Sequence, residues 1–124
     1  MYIRRSKSIS SHVNNEACFR LTLADSMFSR FTGLMFKRDM AFDQAMLITN
    51  CRWVHTCFVR FDLDLIFLNK ELIVIDIKHL KPFRFTLPVK DGSYVLELRA
   101  GCTKYHNIVI GDRFVIEGTK DRQV

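Results

Sequence analysis

Proline and glycine are scarce in this chain, two and five residues among 124. Their scarcity excludes collagen-like and low-complexity classes. With 48% hydrophobic and 26% charged residues, the composition also lies outside the disordered class. Long apolar runs are absent: the stretches Leu65 to Leu68 and Leu72 to Ile75 fall far short of the roughly 20 residues a membrane-spanning helix needs. Four cysteines, Cys18, Cys51, Cys57 and Cys102, are too few for a disulfide-stapled scaffold and are expected as reduced thiols. Cys18 and Cys57 sit inside apolar or aromatic runs, where a free thiol behaves as a small buried hydrophobe. No Gly-rich phosphate loop, HExxH or GxSxG pattern is present.

What is present is one domain's worth of β-competent sequence. The net charge is +6, and three of those charges, Arg4, Arg5 and Lys7, precede the first acidic residue, Glu16. Residues 1–15 therefore read as a flexible basic leader. They lack the apolar h-region of a secretory signal, which places the protein in the cytoplasm. A single β-rich domain is expected over 16–118 and a short tail over 119–124.

Ala17 to Leu23 alternates apolar and polar residues at period 2, as a strand does. After Asp25 or Ser26, either able to cap a helix, Met27, Phe28, Phe31, Leu34 and Met35 recur at helical spacing up to Lys37 and Arg38. Strands are expected at Met46 to Thr49, Thr56 to Val59, Leu63 to Leu68, Leu72 to Ile77, Tyr94 to Arg99 and Arg113 to Glu117. Leu63 to Leu68 reads as central, in a hairpin with Leu72 to Ile77, and Cys102 to Asn107 reads as a helical turn. About seven strands, one short N-terminal helix and no βαβ alternation predict a mainly β fold, a compact antiparallel or mixed sandwich or barrel.

Four constellations bear on chemistry. Cys51, Trp53, His55 and Cys57 place two thiols and an imidazole close together. A structural zinc site wants four ligands, and there is neither a C-x-x-C nor a matching distant pair, so no metal and no cofactor is expected. A Cys nucleophile with a His base can be assembled from Cys57 or Cys102 with His55, His79 or His106, but no exposed, activated thiol is legible. Asp62 and Asp64 flank Leu63 and share one face of a strand. With His55, Thr56 and Arg60 upstream, they line one mouth of the fold as the best site candidate, beside the plainer role of satisfying backbone groups where strands turn. Phe36-Lys37-Arg38, Arg60-Phe61 and Phe83-Arg84-Phe85 interleave aromatics with cations, as single-stranded nucleic-acid binders do, without any RNP, KH or helix-turn-helix signature.

Four segments together, Arg30-Phe-Thr-Gly-Leu-Met-Phe-Lys-Arg38, Val54-His-Thr-Cys-Phe-Val-Arg-Phe-Asp-Leu-Asp-Leu-Ile-Phe67, Tyr94-Val-Leu-Glu-Leu-Arg-Ala-Gly101 and Gly111-Asp112, resemble domain of unknown function family 192. The likeness runs from about Cys18 to Glu117. It implies a compact, mainly β domain found widely in bacteria and archaea, and it brings no reaction with it. The family pattern falls on Arg30, Gly33, Leu34, Met35, Arg38, His55, Thr56, Arg60, Phe61, Asp64, Glu97, Ala100, Gly101, Gly111 and Asp112. Gly101 and Gly111 fit turns that want positive φ. Asp62 stands where the family tends to have Pro, and Cys57 where an aromatic or aliphatic residue is expected.

The resulting expectation is a binding or accessory module rather than an enzyme, because no motif sets a nucleophile beside a base and its orienter. His55, Thr56, Arg60 and Asp64, flanked by Arg30 and Arg38, would form a polar patch for a small anionic ligand or a partner protein. Gly33, Leu34, Met35, Gly101, Gly111 and Asp112 would be structural. The alternatives are a small enzyme using His55 and Asp64 or a Cys-His pair, and a non-specific nucleic-acid binder.

Overall fold

The computed structural model describes residues 1–7, 17–24, 39–56 and 59–118. Within them the chain forms β1 (Tyr2–Lys7), β2 (Cys18–Ala24), β3 (Gln44–Thr49), β4 (Leu63–Leu68), β5 (Val74–Leu80), β6 (Tyr94–Arg99), a one-turn helix α1 (Cys102–Tyr105) and β7 (Arg113–Glu117). The seven strands make one mixed sheet in the order β5-β4-β6-β3-β2-β1-β7. Only β2 and β3 run parallel; the other described pairs are antiparallel. A parallel pair needs a crossover of a dozen or more residues, and 25–43 supplies it. The N-terminal helix expected between Asp25 and Arg38 lies outside the described residues.

The expected sandwich or barrel is replaced by this single open sheet. Closure requires a continuous ladder between the two edge strands, and here they meet at one corner. There Ile73 bridges Arg113, with Val74 N–H donating to Asp112 O at 2.8 Å and Phe114 N–H to Leu72 O at 2.9 Å. Beyond that corner β5 pairs with β4 alone and β7 with β1 alone. The strand expected over Thr56 to Val59 is also corrected at its described ends. Val59 N–H bonds back to Thr56 O at 3.1 Å, so the chain turns there rather than extending.

The middle of the sheet is mostly apolar on both faces, with Asp64 and Glu97 the buried charged exceptions on β4 and β6, and all six residues of β4 are buried. One face carries Phe19, Leu21, Leu47, Ile66, Leu68, Leu96 and Leu98, closed over by Ile3, Cys102, Ile108 and Phe114. The other carries Met46, Ile48, Leu63, Leu65, Phe67 and Val95, packed under Met40, Cys51, Val54 and Val59. Each fully buried aliphatic side chain contributes about 1.5–3 kcal/mol, so both covers are needed.

The basic leader expected over 1–15 is corrected for its first residues, since Tyr2–Lys7 is a strand between β2 and β7. Burial of Ile3 and one long-range ion pair explain it. Arg5 Nη1 lies 3.4 Å from Asp112 Oδ2, with the two side chains 4% and 0% exposed. The same nitrogen donates to His106 O at 2.8 Å, and Asp112 Oδ2 also accepts from Val109 N–H at 3.1 Å. Gly111, just before, has φ 100, a left-handed turn that a Cβ would strain. Truncating Arg5 leaves Asp112 charged and buried. Arg5→Met is expected to destabilise the protein by about 3–5 kcal/mol in urea unfolding, and Arg5→Met/Asp112→Asn to recover most of that. Losses of Arg5→Met and Asp112→Asn that simply add in the double variant would show that the pair carries no coupling.

Candidate functional site

The polar end of the sheet is where β4 begins and β5 and β6 finish. Asp64 on β4 is buried and lies opposite His79 on β5 and Leu98 on β6. Its Oδ2 accepts from Gly101 N–H at 3.0 Å, Thr103 N–H at 3.0 Å and the Thr103 hydroxyl at 2.7 Å. This carboxylate therefore caps α1 from across the sheet, in place of Gly101, which has no side chain to do so and sits at φ 99. Its Oδ1 lies 3.1 Å from His79 Nδ1, while His79 Nε2 lies 3.2 Å from Asp62 Oδ2. The hydrogen bond to Asp64 raises the His79 pKa above its ordinary 6.5, aided by Asp62 and opposed by partial burial. With both ring nitrogens engaged by carboxylates, this histidine acts as a clamp between β4 and β5.

Thr56 is buried and equally committed. Its hydroxyl donates to Lys81 O at 2.6 Å and accepts from Arg84 N–H at 2.8 Å. Its backbone N–H donates to Arg84 O at 2.8 Å and its carbonyl accepts from Phe83 N–H at 3.1 Å. His55 is half-buried, bridges Phe85 in antiparallel fashion and lies 6.2 Å from the Trp53 ring. Arg60 is exposed on the approach to β4. Of the expected patch, then, His55, Thr56, Arg60 and Asp64 fall toward one end of the sheet, with the polar atoms of Thr56 and Asp64 turned inward as struts. Arg30, Arg38, Gly33, Leu34, Met35 and Cys57 lie outside the described residues. Glu97, also in the family pattern, is buried across from Met46 and Leu65.

Sequence reading missed what the strut at Thr56 holds in place. Segments 52–56 and 81–89 run side by side over the second face of the sheet. Thr86 repeats the device of Thr56: Thr86 N–H donates to Val54 O at 2.8 Å, and its hydroxyl accepts from Val54 N–H at 2.9 Å. The outward side of this ribbon shows Trp53, Phe83, Phe85 and Leu87, exposed by 44, 64, 69 and 73%. Arg52, Lys81, Arg84 and Lys90 are exposed around them. Phe83 adopts φ 59, a left-handed conformation that is an outlier for so bulky a residue. The signal available in sequence was Phe83-Arg84-Phe85 followed by Thr86-Leu87, an apolar–polar alternation in which Thr86 turns inward and the apolar residues stay outward. At the opposite ends of β4 and β6 a cleft of about 580 Å³ opens between Arg52, Asn69, Lys70, Glu71, Asp91 and Ser93. Its lining mixes both signs of charge.

Of the described thiols, Cys51 and Cys102 are buried and Cys18 is half-buried. Cys102 is fully buried, and burial followed by the field of Asp64 pushes its pKa up to about 11. Cys51 is buried with Sγ donating to Trp53 O at 2.9 Å. His106 is packed edge-on against Phe19 and Tyr105, with centroids at 5.2 and 4.9 Å. Burial and then Arg5 lower its pKa, so it is a neutral ring in an aromatic cluster. Among the described residues no three His, Cys, Asp or Glu side chains converge on a cation position, and no helix is long and apolar enough to cross a membrane.

Comparison with known proteins returns the same family from several directions. The DUF192 family model, described as Uncharacterized ACR, matches residues 9–116. A UPF0127 protein of Pyrococcus furiosus is 34% identical over 101 residues, 79% of this chain and 87% of that protein. One from Thermococcus sibiricus is 30% identical over 107 residues, 83% of this chain and 70% of its own length. These relatives are archaeal. A crystal structure of a protein of unknown function from Novosphingobium aromaticivorans superposes with a TM-score of 0.78 at 21% identity, covering 94% of this chain and 84% of that one, which shows a shared fold.

Two outcomes follow from the strut geometry. Asp64→Ala removes the acceptor of three donors and is expected to lower unfolding stability by roughly 2–4 kcal/mol; a loss below about 1 kcal/mol would exclude the capping role. His79 has a folded pKa above its unfolded value, so its stabilisation is complete below about pH 6.5 and is lost as pH rises through the folded pKa. Its half-exposed ring limits the effect to less than about 1 kcal/mol. The melting temperature of the native chain should therefore fall relative to that of His79→Gln between about pH 6 and pH 8; parallel curves would remove the clamp.

Proposed function

This chain belongs to the DUF192 family, and on that premise we propose that it is a binding module which docks an acidic partner protein on the basic aromatic ribbon formed by residues 52–56 and 81–89. The observation that carries this reading is Phe83, a bulky aromatic held at positive φ with most of its side chain in water. Strain of this kind persists only where surrounding structure enforces it, and it concentrates at working surfaces. Thr56 does the enforcing. A contiguous exposed apolar patch rimmed by charge is the usual mark of an interaction site on a soluble protein; Trp and Arg are among the residue types that dominate binding energy at interfaces, and Phe is enriched there.

The patch expected from sequence moves accordingly. Thr56 supports the surface from inside and His55 and Arg60 border it, while Asp64 is spent on capping α1. The sign of the exposed charge favours an anionic partner. A protein suits it better than a nucleic acid, because no RNP, KH or helix-turn-helix signature accompanies the four cations. Thiol catalysis gains no support from Cys102, whose pKa of about 11 keeps it protonated at neutral pH.

Trp53 is the single tryptophan, so intrinsic fluorescence reports occupancy of the ribbon directly. Titration with acidic peptides containing aromatic or aliphatic residues is expected to shift Trp53 emission, and Arg84→Glu and Phe83→Gly to abolish the shift. Phe83→Gly should hold or raise the melting temperature, since glycine adopts the left-handed conformation without strain. Trp53 emission that ignores acidic peptides, or that responds to oligothymidylate with a steep loss between low and physiological salt, would overturn the reading.

A further inference from the structure

Resting on that reading of the ribbon, we infer that its outer edge, Phe83 to Leu87, receives an extended acidic segment of the partner as an added β-strand. Segments 54–56 and 84–86 pair antiparallel, with His55 opposite Phe85. The inward hydrogen bonds go through Arg84 and Thr86, to Thr56 and Val54. In an extended chain successive residues turn their N–H and C=O groups to opposite sides, so those of Phe85 and Leu87 point away from the domain. Among the described residues nothing is bonded to them. The edge thus presents backbone donors and acceptors at strand spacing, with Phe85 and Leu87 beside them exposed by 69 and 73%.

Exposed apolar edges invite pairing, and proteins that do not use them blunt them with charge or proline. Here both prolines of the chain, Pro82 and Pro88, stand at the two ends of the edge. They remove N–H groups there and leave those of Phe85 and Leu87 between them. The arrangement limits an incoming strand to about five residues and fixes its register, as in other peptide recognition by strand addition.

Charge complementarity selects the occupant. Lys81, Arg84 and Lys90 are exposed along the edge and Arg52 on the neighbouring segment. A second copy pairing edge to edge would bring two such clusters together, and like charges facing each other across a ladder are destabilising. A strand alternating acidic and apolar residues would instead set carboxylates near Lys81 and Arg84 and apolar side chains against Phe83, Phe85 and Leu87.

The probe is a set of octapeptides alternating Glu with Val, Ile or Phe, followed by Trp53 fluorescence and by amide hydrogen exchange of the whole protein. Binding should slow exchange at Phe85 and Leu87, leaving their neighbours Arg84 and Thr86 unchanged because these are already bonded. N-methylation along the peptide should weaken binding at least about tenfold at alternate positions and little between them. Peptides that shift Trp53 emission without protecting those two amides, and that tolerate N-methylation throughout, would overturn strand addition while leaving the ribbon a binding surface. If no peptide of the set moves Trp53, both readings fall. Protection of Phe85 and Leu87 that grows with protein concentration in the absence of peptide would identify a second copy as occupant and overturn the acidic partner.

Discussion

A sheet whose middle strands are mostly apolar on both faces has no side that can be left to water. β3, β4 and β6 impose that condition here, with β4 buried along its whole length, and most of the remaining chain is arranged to meet it. One face is roofed by Ile3, α1, Ile108 and Phe114. The other is roofed by irregular segments whose inward residues, Cys51, Val54 and Val59, continue the core. Antiparallel sheets commonly keep one wet face; this one gives it up, and so its polar and functional chemistry is displaced to the strand ends and to the outside of the covers.

Covers made of loop rather than of helix or strand carry backbone groups that need partners. Polar side chains supply them. Thr56 and Thr86 each stand in for a missing ladder bond between the two ribbon segments, and Asp64 gathers the donors at the start of α1. These residues look like a ligand site in the sequence because hydroxyls, carboxylates and an imidazole collect near the start of one strand. In the folded chain most of that polarity is consumed in holding loops down. The ribbon that Thr56 and Thr86 tie together turns its apolar side chains outward.

Legibility in the sequence followed the range of the interaction involved. β4, β6 and β7 were readable at their true limits because period and turn residues lie within the segments themselves. β1 was not, because Arg4, Arg5 and Lys7 read as solvated charge, and the reason Arg5 is buried, Asp112, is remote in sequence. The count of seven strands came out right because the missed β1 offsets the strand expected at Thr56 to Val59, and whether seven strands close on themselves depends on a ladder between β5 and β7, which no local pattern encodes. At the polar end, Asp62 and Asp64 announced a shared face; His79 did not, since its role arises only when β5 pairs with β4 in register. Phe83, Phe85 and Leu87 were visible as residues, but their exposure came from Thr56 and Thr86 being turned inward.

The pairing of β1 with β7 also sets an order of events during biosynthesis. Of the seven strands, β1 leaves the ribosome first and β7 last, and each is the other's neighbour along one edge. The domain therefore cannot complete that side of its sheet until synthesis of the whole region is finished, and the loop joining the two is nearly as long as loops in such a domain can be, which slows its closure. A waiting strand of ordinary apolar character would be an aggregation hazard in the meantime. β1 waits as Arg4, Arg5 and their neighbours, soluble by charge, and Arg5 gives up its water only when Asp112 arrives to replace it.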